Sequence, residues 1–183
     1  MYFSVHELVT RKMDFAQTFA PGKLDLGEEL VQKADLKAKG RAELIEEHHG
    51  PKKVVQDIRV VGDFSTRVEL KCARCLDPVV RDLSGEIDLL YRPLGTNADK
   101  KDDSSISEQE SEIGYYQGDG VELADVLKEQ VLLSVPIREL CSPDCKGLCP
   151  LCGQNRNLKD CHCRQEQQDP RWNALADIKK TLK

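Results

Sequence analysis

Bulky side chains are scarce in this chain. Four Phe, four Tyr and one Trp among 183 residues make it 5% aromatic, so any core must rest mainly on aliphatic residues and stay modest in size. No apolar run approaches the ~18 residues that a membrane-spanning helix needs. His6, Glu7, Arg11 and Lys12 already interrupt the first twelve positions, where a secretory signal requires a continuous apolar segment. Membrane-spanning, signal-exported and collagen-like classes are thereby set aside, and a cytoplasmic protein is expected. Strong charge is also lacking, with a net −5 from 27 Lys+Arg and 32 Asp+Glu. Residues 1–95 carry 15 basic against 16 acidic side chains, residues 96–125 carry 2 against 9, and residues 126–183 carry 10 against 7. The mildly basic last third admits a nucleic-acid partner but falls short of a basic footprint.

Signatures of catalysis are missing as well. His6-Glu7-Leu-Val-Thr10 has Thr where a zinc-protease helix places its second His. The deaminase H-x-E before P-C-x-x-C, the G-x-S-x-G elbow, the phosphate-binding G-x4-G-K-[ST] and the G-x-G-x-x-G loop are all absent. No carboxylate is singled out by an apolar setting, so a non-enzymatic protein is expected.

What is present is strand periodicity. Ile58, Val60, Gly62, Phe64, Thr66, Val68, Leu70 and Cys72 alternate with polar or charged positions, and Val79, Leu83, Gly85, Ile87, Leu89 and Tyr91 follow the same rule. A period of two turns one face to a core and the other to water. Cys72-Ala-Arg-Cys75-Leu-Asp-Pro78 joins these runs with a connection of hairpin size. Shorter alternating runs at Ala34–Leu44 and Met13–Ala20 raise the expectation to at least four antiparallel strands. Leu123, Val126, Leu127, Val131 and Ser134 instead recur at helical spacing, with Asp119 as an expected N-cap and Pro136 as a stop. Asp169-Pro170 followed by Trp172, Leu175, Ile178 and Leu182 predicts a short C-terminal helix with Trp172 as a packing anchor.

The expected organisation is α+β: an antiparallel sheet or half-barrel, one packed helix, and a cysteine-rich, loop-dominated, zinc-binding C-terminal segment. In residue terms this gives a β domain at 1–94, a flexible acidic loop at 95–113 that is too polar to order itself, the packed helix at 114–140, and a metal-binding segment with its helix at 141–183.

The cysteines carry the chemistry. All eight fall in two clusters: Cys72 and Cys75, then Cys141, Cys145, Cys149, Cys152, Cys161 and Cys163. Without an oxidising compartment, disulfides are not expected. Inert core cysteine does not suit six thiols set among Pro, Gly, Asp and Lys. Metal binding remains. A C-x2-C turn aims two sulfurs at one point, so two such turns complete a tetrahedral shell, and one or two structural Zn2+ ions are expected. The spacing places Cys149 and Cys152 in one site with two of Cys145, Cys161 and Cys163, while Cys72 and Cys75 join Cys141 or Cys145. The allocation stays open, and His162 is not expected to be a ligand. Cys145-x3-Cys149-x2-Cys152 also matches the spacing that holds the iron–sulfur cluster of radical enzymes. Only 31 residues follow Cys152, too few for the strand–helix barrel such an enzyme requires, so this match is read as accidental.

The order of motifs resembles the YceD-like family, whose members are called large ribosomal RNA subunit accumulation proteins. The resemblance rests on C-A-R-C-L at 72–76, Leu-Leu-Ser-Val-Pro-Ile at 132–137, CSPDCKGLCPLCGQNRN at 141–157, Cys161-His-Cys163 and Asp169-Pro-Arg171-Trp-Asn-Ala-Leu175. Arg156 departs from the fullest form of the motif, where Leu is usual. The resemblance implies a ribosome-biogenesis factor needed for normal 23S rRNA levels, in a bacterial cytoplasm because no plastid leader precedes Met1. Its expected partners are the pre-ribosomal large subunit, its rRNA or a ribosomal protein, with no membrane and no small-molecule substrate. Lys146, Arg156, Lys159, Arg164 and Arg171 are candidate RNA or partner contacts. The alternative is a zinc-stabilised interaction module, or a chaperone for a basic ribosomal protein, that touches no RNA.

Overall fold

The structure, a computed structural model, describes residues 1–27, 29–48, 54–95 and 113–163. Elements follow the order β1 (Tyr2–Ser4), α1 (Val5–Thr10), β2 (Met13–Phe19), β3 (Val31–Gln32), β4 (Leu36–His48), β5 (Val54–Lys71), β6 (Pro78–Pro93), β7 (Ile113–Tyr116), β8 (Gly120–Glu122) and α2 (Leu123–Ser134). Six strands form one sheet in the order β2-β4-β5-β6-β7, with β3 also paired to β5, while β1 and β8 form a separate two-stranded ribbon. The α+β class expected from periodicity is the class observed.

The long central strands follow from alternation. Along β5, Ile58, Val60, Phe64, Thr66, Val68 and Leu70 are buried, and on β6 Leu83, Ile87 and Tyr91 point the same way. Antiparallel register pairs Ile58 with Tyr91 and Lys71 with Pro78, so the connection between the strands is confined to Cys72–Asp77. Gly40 and Gly62 face each other across β4 and β5. A Cβ at Gly40 would collide with the Val61 carbonyl oxygen and one at Gly62 with that of Lys39, so only glycine allows this approach. Val31 and Gln32 of β3 pair with Glu69 and Val68, a stretch of β5 that lies beyond its register with β4.

The helix α2 covers the apolar face of the sheet. Leu123, Val126, Leu127 and Val131 are buried in the same cluster as Phe3, Phe15, Ile58, Val60, Phe64 and Ile87. At roughly 25 cal/mol per Å2 of apolar surface, each such side chain contributes about 1.5–3 kcal/mol relative to exposure. The helix begins later than expected. Glu122 is its N-cap, without a side-chain capping bond, and the Leu123 amide donates to the Met1 carbonyl at 2.9 Å. The Asp119 carbonyl instead accepts from the Val5 amide at 2.8 Å, tying the turn before β8 to the start of α1.

Two features went beyond the periodicity. The helix α1, capped by the Ser4 side chain, is only six residues long, and β7 joins β6 in parallel. A parallel partner cannot be reached by a tight turn. Residues 96–112 of the expected flexible loop and the whole of the expected C-terminal helix lie outside the described residues.

Candidate metal centres

The turn after β5 is shaped by its own backbone. The Cys72 amide donates to the Asp77 carbonyl at 2.9 Å and the Leu76 amide to the Cys72 carbonyl at 3.0 Å, which curls Cys72 and Cys75 toward one side. Leu76 follows the second cysteine at φ +64°, and Gly153 holds the equivalent place after Cys152 at φ +71°. Both C-x2-C turns thus close with a left-handed residue, at a cost of about 1–2 kcal/mol where that residue has a Cβ.

Cys72 and Cys75 are met by Cys141 and Cys145 from the segment that follows α2. The four sulfurs lie within 4.8 Å of one another, as do those of Cys149, Cys152, Cys161 and Cys163. The hairpin pair therefore takes both Cys141 and Cys145, and the second site is assembled from Cys149 onward. The Cys72–Cys145 and Cys75–Cys141 sulfurs are 3.8 and 3.5 Å apart. A disulfide needs ~2.05 Å. Four thiolates at ~2.3 Å from a central ion form a tetrahedron with edges of ~3.8 Å, so these separations fit an ion. Two cysteine tetrads are positioned to bind metal ions, and His162 belongs to neither.

The first tetrad is the more deeply set: Cys72, Cys75 and Cys145 are buried and only Cys141 is exposed. In the second, Cys149 alone is buried, whereas Cys152 and Cys163 are exposed. The two are stitched together through the turn. The Leu148 amide donates to the Arg74 carbonyl at 3.0 Å, the Arg74 guanidinium donates to the Cys145 carbonyl at 2.8 Å, and the Asn155 amide group donates to Asp77 Oδ2 at 2.7 Å. Leu148 and Asn155 form a β-bridge that presents Cys149, whose carbonyl accepts from the Gly153 amide at 2.9 Å.

Hydrogen bonds to sulfur sort the thiols in each tetrad. Burial raises Cys72, but the amides of Cys141, Cys75 and Arg74 and the Cys75 thiol outweigh it and bring it down to about 6. Burial likewise opposes ionisation of Cys145, which is nevertheless lowered by the Asn157 side chain and the Gly147 amide; Asn157 Nδ2 donates to its sulfur at 3.2 Å. Cys149 falls to about 6 through the amides of Cys152 and Leu151 and the Cys161 thiol. Cys75 is pushed up by burial, Cys141 by its hydrogen bond with Cys145, Cys161 by that with Cys149, and Cys163 to about 12 by that with Cys152. Thiolate acceptors and thiol donors therefore share each cluster, and an entering cation displaces the remaining protons.

Of the candidate contact residues, Lys146, Arg156 and Lys159 are exposed on the loops around the tetrads, whereas Arg164 and Arg171 lie outside the described residues. In the sequence Asn155 and Asn157 stand out only as part of the motif at 141–157. Asn157 Oδ1 also accepts from the Lys146 amide at 2.7 Å, and the alternation Asn-x-Asn beside a cysteine cluster is the signal that marks such a brace. A buried ion pair at the other end of the sheet carried no sequence signal. Arg92 Nε donates to Asp57 at 3.0 Å and Arg92 Nη2 reaches Glu47 at 2.6 Å.

Among the described residues no helix is long and apolar enough to cross a membrane. Comparison with known proteins gives a consistent picture. The family profile described as large ribosomal RNA subunit accumulation protein YceD matches residues 60–179. An uncharacterized protein of Mycobacterium tuberculosis is 32% identical over 125 residues, covering 68% of this chain and 57% of that protein. The chain thus spans little more than half the length of its curated mycobacterial relatives. Two chloroplastic proteins named large ribosomal RNA subunit accumulation protein YCED homolog 1 are also similar. That of Arabidopsis thaliana is 27% identical over 34% of this chain and 19% of its own length, and that of Zea mays 24% over 58% and 44%. No solved structure gives a significant match.

Proposed function

The chain belongs to the YceD family of large ribosomal RNA subunit accumulation proteins, and from that premise we propose that it is a non-enzymatic ribosome-biogenesis factor, acting in the cytoplasm, on which 23S rRNA accumulation depends. Its eight cysteines hold two structural zinc ions. Closed four-sulfur sets leave no open position for water or substrate, which suits a structural metal rather than a catalytic one. Cys72, Cys75, Cys141 and Cys145 hold the first ion; Cys149, Cys152, Cys161 and Cys163 hold the second. Each supplies folding free energy to loops that have little core of their own.

The observation that carries this reading is the coincidence of the family match with two cysteine tetrads that fasten the end of the sheet to the loop segment after α2. Lys146, Arg156 and Lys159 surround that fastening and meet rRNA phosphates or a ribosomal protein of the maturing large subunit. Depleting the protein tests the proposal. The ratio of large- to small-subunit rRNA falls, and is restored by the parent gene but not by a Cys72→Ser/Cys75→Ser copy. An unchanged ratio overturns the proposal. Where RNA is the contact, binding weakens with salt by a slope of roughly 0.7–0.9 per phosphate met, and Lys146→Glu lowers that slope by about one such unit.

A further inference from the structure

We propose that a tyrosine-lined cavity, at the other end of the sheet from the cysteine tetrads, takes the guanidinium of an arginine from a basic protein partner. The cavity encloses about 420 Å3 between the β1–β8 ribbon, β7 and the first turns of α2. Tyr2, Tyr91, Tyr115 and Tyr116 line it together with Asp125 and Glu129, and the chain has no other tyrosine. Tyr91 stands thirteen residues along β6 from Pro78, where the turn of the first tetrad ends, which is on the order of 40 Å of strand.

The aromatic side of the cavity suits a cation. A tyrosine ring presents a negative face, and a guanidinium can lie flat on it while donating to carboxylates in its own plane. Tyr2 and Tyr115 are exposed along the cavity, whereas Tyr91 and Tyr116 are buried. The Tyr116 hydroxyl donates to the Gln56 carbonyl at 2.9 Å. Tyr91 is only 8% exposed, and its ring is seated against Gly114, where a Cβ would strike it. Among the described residues its hydroxyl has no hydrogen-bond partner, and a buried polar group in that condition marks a place that a ligand completes.

The acidic side supplies the counter-charge. Asp125 and Glu129 stand one turn apart on α2, and both are exposed. Burial, then the charges of Glu129 and Asp125, push the Tyr91 hydroxyl up to about 12, so both carboxylates bear on the cavity. Neither forms an ion pair among the described residues. Lys128 reaches Asp25 instead, at 3.6 Å, and the Met1 ammonium is held by Glu122 at 2.7 Å. Asp125 suits the first turn of a helix, but Glu129 lies beyond it and gains nothing from the helix dipole. Two uncompensated carboxylates beside aromatic surface attract a basic side chain and repel RNA phosphates, so the occupant is a protein segment. The inference deepens the ribosome-biogenesis reading and rests on it only for where such a partner is met.

Amide NMR of the isotope-labelled, metal-loaded full chain tests it, with acetyl-Gly-Gly-Arg-Gly-Gly-amide as the probe. Saturable shifts should centre on residues 115–117 and 120–126 around the cavity, and the same peptide with uncharged citrulline for arginine should leave them unmoved. Asp125→Asn/Glu129→Gln should weaken binding at least about fivefold, with metal content unchanged. Asp14→Asn/Glu86→Gln, the same change of charge at exposed strand positions elsewhere, should leave it within about twofold. No saturable shift in the parent overturns the proposal, as do equal shifts with the citrulline peptide. Equal weakening by both variants means unspecific attraction and also overturns it, and so does an oligouridylate that moves the same amides. A normal rRNA ratio on depletion would leave the peptide result standing, and failure of the peptide would leave the rRNA test untouched.

Discussion

Replacing Cys72 and Cys75 together by Ser removes the sheet's half of the first tetrad. The paired sulfurs join positions 66 and 73 residues apart in sequence, Cys75 to Cys141 and Cys72 to Cys145. Closing a loop of that length in the unfolded chain is worth about 4.4 kcal/mol on the chain-entropy scale for cross-links. Serine is close to cysteine in size, so little cavity strain is added. The second tetrad spans only 149–163, corresponding to about 3 kcal/mol, and it ties a local loop rather than the sheet. For a chain of this size 1 kcal/mol moves Tm by roughly 2–4 °C, so the double variant should melt about 9–18 °C below the parent and bind one metal ion fewer. Thermal unfolding followed by far-UV circular dichroism, with metal content measured on the same samples, reads both quantities. Cys152→Ser/Cys163→Ser should lose the other ion and shift the sheet's transition by much less. The reasoning fails if the Cys72/Cys75 variant melts within about 2 °C of the parent, which is less than 1 kcal/mol, or if both variants shift the transition equally.

Three further outcomes are expected. Asn157→Ala removes the donor to the Cys145 sulfur and the acceptor for the Lys146 amide, and metal affinity measured by chelator competition should fall 10–100-fold, the usual scale for such braces. Cys72 and Cys149 are lowered from 9.0 to about 6. In the metal-free chain their thiolates therefore contribute stability that is fully present above about 9 and lost as pH falls through about 6, so the urea midpoint measured with a chelator present should be lower at pH 5.5 than at pH 9. An equal or higher midpoint at pH 5.5 would count against it. Asp57→Asn leaves the buried Arg92 without its main counter-charge and should cost about 3–5 kcal/mol by urea denaturation. The double change Asp57→Leu/Arg92→Met should cost less than the single one, because it strands no buried charge: the side chain of Glu47, the other carboxylate on Arg92, is 42% exposed to water.

The legible parts of this fold are those fixed by side-chain period. In β4, β5 and β6 alternation runs for ten or more residues, so a shift of one residue would turn every apolar side chain to water, and the strands stand close to where the pattern ends. Two- to four-residue elements such as β1, β3, β7 and β8 have too few positions to show a period, and pairing decides them. Asp57 was hidden for a related reason. It falls on the water phase of β5, out of step with Ile58, yet it is fully buried because Arg92 from β6 lies over it. At the metal sites, C-x2-C spacing marks ligand pairs but carries no information about which pairs meet. That was settled by the β5–β6 turn, whose Arg74 binds both the Cys145 carbonyl and the Leu148 amide.

The account turns on two separate four-thiolate centres, and native mass spectrometry of the full chain, with elemental analysis of the same preparation, tests them most directly. It predicts a colourless protein with two zinc ions per chain, falling to one in Cys72→Ser/Cys75→Ser and to one in Cys152→Ser/Cys163→Ser. A metal-free chain, a brown iron-loaded one, or a single ion lost in both variants would contradict it.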